Sequence, residues 1–290
     1  MELLQVEPRR RIVNSKWEEM RVCYVGDLQW AGKRAHGTAL NQLKETIAEA
    51  MERGAYFIGM GDMIDFMSPS NRQRLRAAAL YDTAEDVIDQ KAMELTHEIF
   101  DLALKPTVGR WLGMVEGHHF SALKTGDTTD MRLCEMLKAP FLGTSGVIRI
   151  NFARSQTSKM SVTLWVHHGH GNGQTNYYPL ARLERFAAGI ESVDAFAIGH
   201  TTKMGHSLDN RMGFKWGAQR GKAYHRTIHY IGTGGYSRAY IEGSKQGRVP
   251  RGGYAEQGMM KPAVIGSPTL IIRPCLDKDG TQFPVLKVEA

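Results

Sequence analysis

Eight short apolar runs, rich in β-branched and aromatic residues, punctuate the chain. They are RVCYVGD (21–27), AYFIGMGD (55–62), RWLGMVEGHH (110–119), VIRINF (147–152), SVTLWVHH (161–168), DAFAIGH (194–200), TIHYIGTGG (227–235) and TLIIRP (269–274). Runs of this length that close on turn-forming residues predict strands. Between the first two, TALNQLKETIAEAMERG sets Leu40, Leu43, Ile47 and Met51 on one helical face, with Gly54 where a left-handed C-cap belongs. A second helix is predicted over about 82–104, with Thr83 and Asp86 spaced as a capping pair and Val87, Ile88, Leu95, Ile99 and Leu102 as its apolar face. Strand and helix alternate in the first half and strands dominate the second, which predicts a layered α/β fold. The Gly-rich stretch 232–258, broken by Tyr236, Tyr240 and Tyr254, reads as long structured loops and not as an interdomain linker. One domain over 1–290, with its core from about 20 to 275, is the expected organisation.

Composition keeps the chain in the soluble globular class: of 290 residues, 42% are hydrophobic and 23% charged, enough to bury a sizeable core. Cys23, Cys134 and Cys275 are odd in number and far apart, so they predict neither a disulfide framework nor a zinc motif, and a reducing cytoplasm is expected. The first twenty residues lack a signal-peptide core, and no run approaches membrane-spanning length, so no membrane association is expected.

Charge changes that picture. The formal excess is +7, and 203–251 alone holds ten Lys or Arg against Asp209 and Glu242. A basic segment concentrates phosphate-bearing partners, nucleic acid among them, although it could equally be a solvated face. Tyr224, Tyr236 and Tyr240 within it could stack on bases or pack a sheet edge. Oligomeric state is open at this point.

The strand ends carry the chemistry. They read Gly26-Asp27-Leu28-Gln29, Gly61-Asp62-Met63-Ile64-Asp65, Gly117-His118-His119, His167-His168-Gly169-His170 and Gly199-His200. In α/β sheets, ligands collect beyond the carboxyl ends of strands, where loops of several strands converge. One Asp or His after a strand is ordinary; five such ends, each beside a glycine that admits close backbone approach, predict a metal site. Mixed carboxylate and imidazole donors suit Mn²⁺, Fe, Zn²⁺ or Ni²⁺ better than Ca²⁺.

This order of motifs resembles the calcineurin-like metallophosphoesterases, whose signature runs D-x-H, G-D-x-x-D, G-N-H-D/E, a His followed by Gly, and G-H-x-H. Here it reads G-D-L-Q, G-D-M-I-D, G-H-H-F, H-H-G-H and G-H-T-T, over about residues 20–202. The resemblance implies a four-layer αββα sandwich with a two-metal site at one edge. It implies that Asp62 bridges two ions, that Asp27 binds the first, and that His118, His168 and His200 bind the second. His119 falls where the family has a histidine that contacts phosphate and protonates the leaving group, and Asp65 falls where it would orient a ligand or turn. Two cations would polarise the phosphoryl oxygens and activate a water for in-line attack.

The departures bear on the first ion. Gln29 and Thr202 stand where the family has histidines, a weaker and a poorer donor than imidazole, and Phe120 replaces an acid. Gln29 is kept as a candidate ligand, and Thr202 and His170 as residues near substrate or behind the ligands. His36, His170 and His206 are candidates to compensate, while His167, on the opposite strand face, is expected to be structural. The expectation is a phosphoesterase acting on phosphodiesters, nucleic acid or nucleotide, with one or two transition ions, Mn²⁺ foremost. The alternative is a binding module on the same fold whose first metal site has decayed.

Overall fold

Side chains that alternate in and out of a pleated strand can fill a core on both faces when both are covered. The computed structural model describes residues 1–6, 12–13, 16–17, 19–33, 37–66, 82–153, 159–171, 173, 175–217, 220–246, 248–250, 252, 254–276, 278 and 282–290. Among these, strands of four or more residues are β1 (Glu2–Val6), β2 (Met20–Val25), β3 (Tyr56–Gly59), β4 (Trp111–Met114), β5 (Ser145–Ala153) and β6 (Lys159–His167). They continue with β7 (Ala195–Ile198), β8 (Met204–Trp216), β9 (Gly221–Thr233), β10 (Thr269–Leu276) and β11 (Gln282–Glu289). The main helices are α1 (Leu40–Glu52), α2 (Asp82–Ile99), α3 (Thr129–Leu137) and α4 (Tyr178–Ala187). None of the helices among the described residues is long and apolar enough to cross a membrane.

The architecture is mixed α/β, with two large sheets among the described residues. One has the order β1-β5-β6-β7-β9-β8 and the other β11-β10-β2-β3-β4. β2, β3 and β4 run parallel, and so do β6, β7 and β9, so the carboxyl ends within each group share an edge. In β2, Met20, Val22 and Tyr24 join a buried cluster with Ile148, Ile150, Val162, Leu164, Ala195 and Ala197 of the other sheet. The alternate residues Cys23 and Val25 pack with Leu43 and Ile47 of α1, Leu95 and Ile99 of α2, and Leu133 and Leu137 of α3. Trp165 and Phe196, on the outer face of the six-stranded sheet, pack against Leu180, Leu183 and Ala187 of α4.

Two expectations need correction. Asp82 is already helical, so Thr83 lies in the first turn of α2 and is not its N-cap. Val87 is 67% exposed; it sits one residue, about a 100° rotation, off the buried line through Ala92, Leu95 and Ile99. Past Ile99 the helix widens into a π turn, Phe100–Leu104. Gly54, at φ 67°, follows α1 in the left-handed conformation that the sequence predicts. The larger surprise is β8 and the first half of β9. The sequence predicts a strand only from 227, yet the two form a hairpin of thirteen residues each.

Candidate metal centre

Five strand ends meet where the parallel strands of the two sheets run out. Asp27 follows β2, Asp62 follows β3, His118 and His119 follow β4, His168 follows β6, and His200 follows β7. Backbone bonds lock the loops to one another: the Asp27 N–H donates to the Gly61 carbonyl at 2.9 Å and the Gln29 N–H to the Asp62 carbonyl at 2.9 Å. The His200 N–H donates to Asp27 Oδ2 at 2.9 Å. The N–H groups of His118 and His119 both donate to Asp62 Oδ1. That wrap is possible because residue 117 is glycine; a Cβ there would stand 2.1 Å from Asp62 Oδ1. Asp27, Gln29, Asp62, His200 and Thr202 all have positive φ, between 47° and 66°. Such backbone costs energy for residues with a Cβ and persists where surroundings impose it, often around functional sites.

The side chains converge in two overlapping groups, His118–His168–His200 and Asp27–Asp62–His168, with one donor atom from each member lying within 4.8 Å of the others. His168 belongs to both. Its Nδ1 lies 2.6 Å from the Met60 carbonyl, which can only accept, so Nδ1 carries the proton and Nε2 is the free donor. That Nε2 lies 3.2 Å from Asp62 Oδ2 and 3.3 Å from His200 Nδ1. His200 Nδ1 in turn lies 3.1 Å from His118 Nδ1. Asp27 Oδ1 and Asp62 Oδ2 are buried without a hydrogen-bond partner; the His168 contact to Asp62 Oδ2 is close but not aligned as a bond. Buried carboxylate oxygens without partners are costly, whereas a divalent cation would take up these oxygens and the facing imidazole lone pairs together. The donor set fits a metal ion.

Electrostatics favour the same use. Burial, with the neighbouring His168 next, pushes His118 and His200 down to about 4, so both are neutral donors near pH 7. Burial also pushes Asp27 up to about 7. For Asp62 burial acts upward, but the close approach and charge of His168, with His119 behind it, hold it below the ordinary carboxylate range. His168 is the counterpart: burial disfavours its charge, yet Asp62 outweighs that and raises it to about 9. Since a ligating imidazole must be unprotonated, a cation competes with the proton that Asp62 otherwise keeps on His168.

His119 stands apart from both groups. Its Nδ1 lies 2.8 Å from Asp65 Oδ1 and its Nε2 3.9 Å from Asp62 Oδ2, at the half-open rim. The Asp65 bond is the main cause of its raised pKa, against burial. Gln29 and Thr202 are turned to other partners. Gln29 Oε1 accepts from the Ser237 hydroxyl at 2.7 Å, and the Thr202 hydroxyl donates to the Thr201 carbonyl at 2.8 Å. His170 is exposed beside the cluster, its ring 5.6 Å from that of His118 and stacked at 6.2 Å on His200. Its carbonyl accepts from Arg182. His167 stacks on Trp165 at 5.5 Å and takes the Gly169 N–H on its Nδ1. His206 pairs with His229 at 3.0 Å. His36 lies outside the described residues.

Three contributors leave little or no trace in the sequence. Asp130, buried behind the site and pushed up to about 7 by that burial, accepts the Gly117 N–H at 3.0 Å. The Met60 carbonyl fixes the His168 tautomer, and Ser237 engages Gln29. In sequence, Asp130 looks like any acid in the first turn of a helix, and backbone carbonyls give no signal at all.

No known family's sequence profile matches the chain, and neither does any curated protein. Among solved structures it is similar to Vps29 of Chaetomium thermophilum at 9% identity, over 93% of this chain and 95% of that one, with a TM-score of 0.31. The same protein complexed with a cyclic peptide gives 8% identity over 93% and 96%, with a TM-score of 0.25. At these scores the likeness carries no argument about fold or function.

Proposed function

We propose that the chain is a metal-dependent phosphoesterase that hydrolyses phosphodiester bonds at the junction of its two sheets. The observation that carries the metal reading is the pair of buried oxygens without a hydrogen bond, Asp27 Oδ1 and Asp62 Oδ2, on the two carboxylates that cluster with a His168 whose Nδ1 is held by the Met60 carbonyl. The motif order adds the reaction class. We read the three buried clusters as the helix–sheet–sheet–helix order of a four-layer αββα sandwich, with the site at its edge.

Asp62, Asp27, His118, His168 and His200 would hold one or two divalent ions, Mn²⁺ foremost, whose bound charge supplies Lewis-acid polarisation of a phosphoryl oxygen. The chain's own residues do the rest. The two N–H groups on Asp62 Oδ1 keep that carboxylate aimed, leaving Oδ2 toward the cluster. His119, held through Nδ1 by Asp65, presents Nε2 at the rim and delivers a proton to the leaving-group oxygen. With Gln29 and Thr202 bonded elsewhere, the imidazole-rich side holds its ion more tightly than the Asp27 side. A specific variant of the reading follows: one firmly held ion, and a second taken up only at higher metal concentration.

The test is hydrolysis of bis(4-nitrophenyl) phosphate with added Mn²⁺, in the unmodified protein and in Asp62→Asn. Turnover that needs the metal and disappears in the variant supports the reading. Metal binding without any hydrolysis would favour the alternative, a binding module on the same fold.

A further inference from the structure

Away from the metal centre, the β8–β9 hairpin is the most unusual surface. The strands pair from Met204 with Thr233 to Trp216 with Gly221, but β9 reaches β7 only over His229–Gly232. Beyond that point the ribbon has no further strand beside it among the described residues, and β8 ends the sheet. Its base is anchored: Arg226 bonds Asp194 at 2.8 Å, and Arg211 bonds the Ala187 and Ile190 carbonyls at 2.6 and 3.0 Å. Large apolar side chains of β8 stand in solvent, from Leu208 near the base, opposite His229, to Met212, Phe214 and Trp216 in the far half; the first three are each 59% exposed and Trp216 82%. Alternation puts these four on one face. Lys215, Lys222 and Tyr224 share the other, the Lys215 ammonium 5.3 Å above the Tyr224 ring.

Exposed apolar rows of this kind mark an interaction surface. Charge selects the partner. Over 204–233 the ribbon has Arg211, Lys215, Arg220, Lys222 and Arg226 against Asp209 alone. Lys215, Arg220 and Lys222 have no acidic partner among the described residues. A second copy would bring like charge against like, which favours an anionic occupant. The end of the ribbon is aromatic, and rings matched with cations suit a polymer that offers flat bases and phosphates together. The set of rings able to stack changes accordingly. Tyr236 is fully buried and cannot stack, and Tyr240 donates its hydroxyl to the Met260 carbonyl, whereas Phe214 and Trp216 stand free.

We propose that the β8–β9 ribbon binds single-stranded nucleic acid, with bases stacked on Phe214 and Trp216 and phosphates held by Lys215, Arg220 and Lys222. Lys215 and Lys222 lie on the face opposite the two rings, so a strand stacked on Phe214 and Trp216 meets the lysines by wrapping round the edge of a ribbon only two strands wide. The choice of nucleic acid over other polyanions rests on the phosphoesterase reading; the surface itself does not.

Fluorescence anisotropy of labelled oligothymidylate, in EDTA to stop turnover, tests this on the full chain. Phe214→Ala with Trp216→Ala should weaken binding roughly 10- to 100-fold. Lys215→Gln, Arg220→Gln and Lys222→Gln together should flatten the salt dependence by about 2 in log–log slope. Both sets lie on the exposed ribbon, and unchanged melting temperatures would exclude misfolding. Oligothymidylate affinity that neither set alters would overturn the proposal. So would binding to phosphatidylserine vesicles in place of the oligonucleotide, or a dimer that the aromatic pair dissolves. Asp62→Asn should bind oligothymidylate as the unmodified protein does, so loss of hydrolysis and loss of the ribbon's partner are separate failures.

Discussion

The two halves of the metal centre are built from the same kind of strand end, yet they are unequally equipped. On one side His200 Nδ1 lies 3.1 Å from His118 Nδ1 and 3.3 Å from His168 Nε2. On the other, Asp27 has a partnerless Oδ1, while the neighbouring Gln29 and Thr202 have given their polar atoms to Ser237 and Thr201. Left-handed backbone occurs on both sides, at Asp27, Gln29 and Thr202 on one and at His200 on the other, with the shared Asp62 between them, but His118 and His168 lack it. The side richer in left-handed backbone is thus the poorer in imidazole, so side-chain chemistry and not backbone strain sets which side holds an ion more firmly. The donor found at each position sets how firmly an ion binds.

Asp62→Asn should break both halves at once, because Asp62 contacts His168, His118 and His119. Bound metal and phosphodiesterase activity should fall together to background, as metal analysis and a rate assay would show. Retained metal would mean that Asp62 does not join the two sides.

A smaller effect separates binding from proton transfer. His119→Ala should leave metal content nearly intact while slowing turnover by roughly 10²–10⁴-fold. The loss should shrink when the leaving group is a nitrophenolate, which needs little protonation. Equal losses with all leaving groups would mean that His119 only positions phosphate.

Asp65→Asn tests how that histidine is held. Asp65 raises the His119 pKa in the folded protein. The protonated form is therefore favoured below the ordinary histidine value and persists until pH rises through the raised one. Activity that needs the imidazolium should fall on the alkaline side, and Asp65→Asn should move that limb to lower pH. An unmoved limb would assign it to another group.

The mildest change should sharpen the contrast between the halves. Gln29→His with Thr202→His supplies imidazoles to the Asp27 side, so the weaker ion should bind more tightly, while the tighter one is unaffected. Isothermal titration on both forms would read this directly.

Much of the site is legible in the sequence. Glycines beside Asp and His at successive strand ends locate the cluster, because a residue after a parallel strand must lie at the sheet's carboxyl edge. Helical spacing likewise puts Leu43 and Ile47 on the buried face of α1. What sequence does not show is where each polar atom turns: nothing in G-D-L-Q reveals that Gln29 faces Ser237, or in G-D-M-I-D that Asp65 reaches His119. The ribbon is hidden for another reason. Residues 204–217 and 220–226 bury little, so their alternation lacks the apolar density that betrays a strand, and Phe214 and Trp216 look like isolated surface residues until the hairpin aligns them.

Metal stoichiometry tests the central claim most directly. The apoprotein titrated with Mn²⁺ should take up one ion firmly and a second distinctly more weakly, with turnover rising as the second binds. Two ions held equally tightly would contradict the unequal halves, and no bound ion at all would contradict the site.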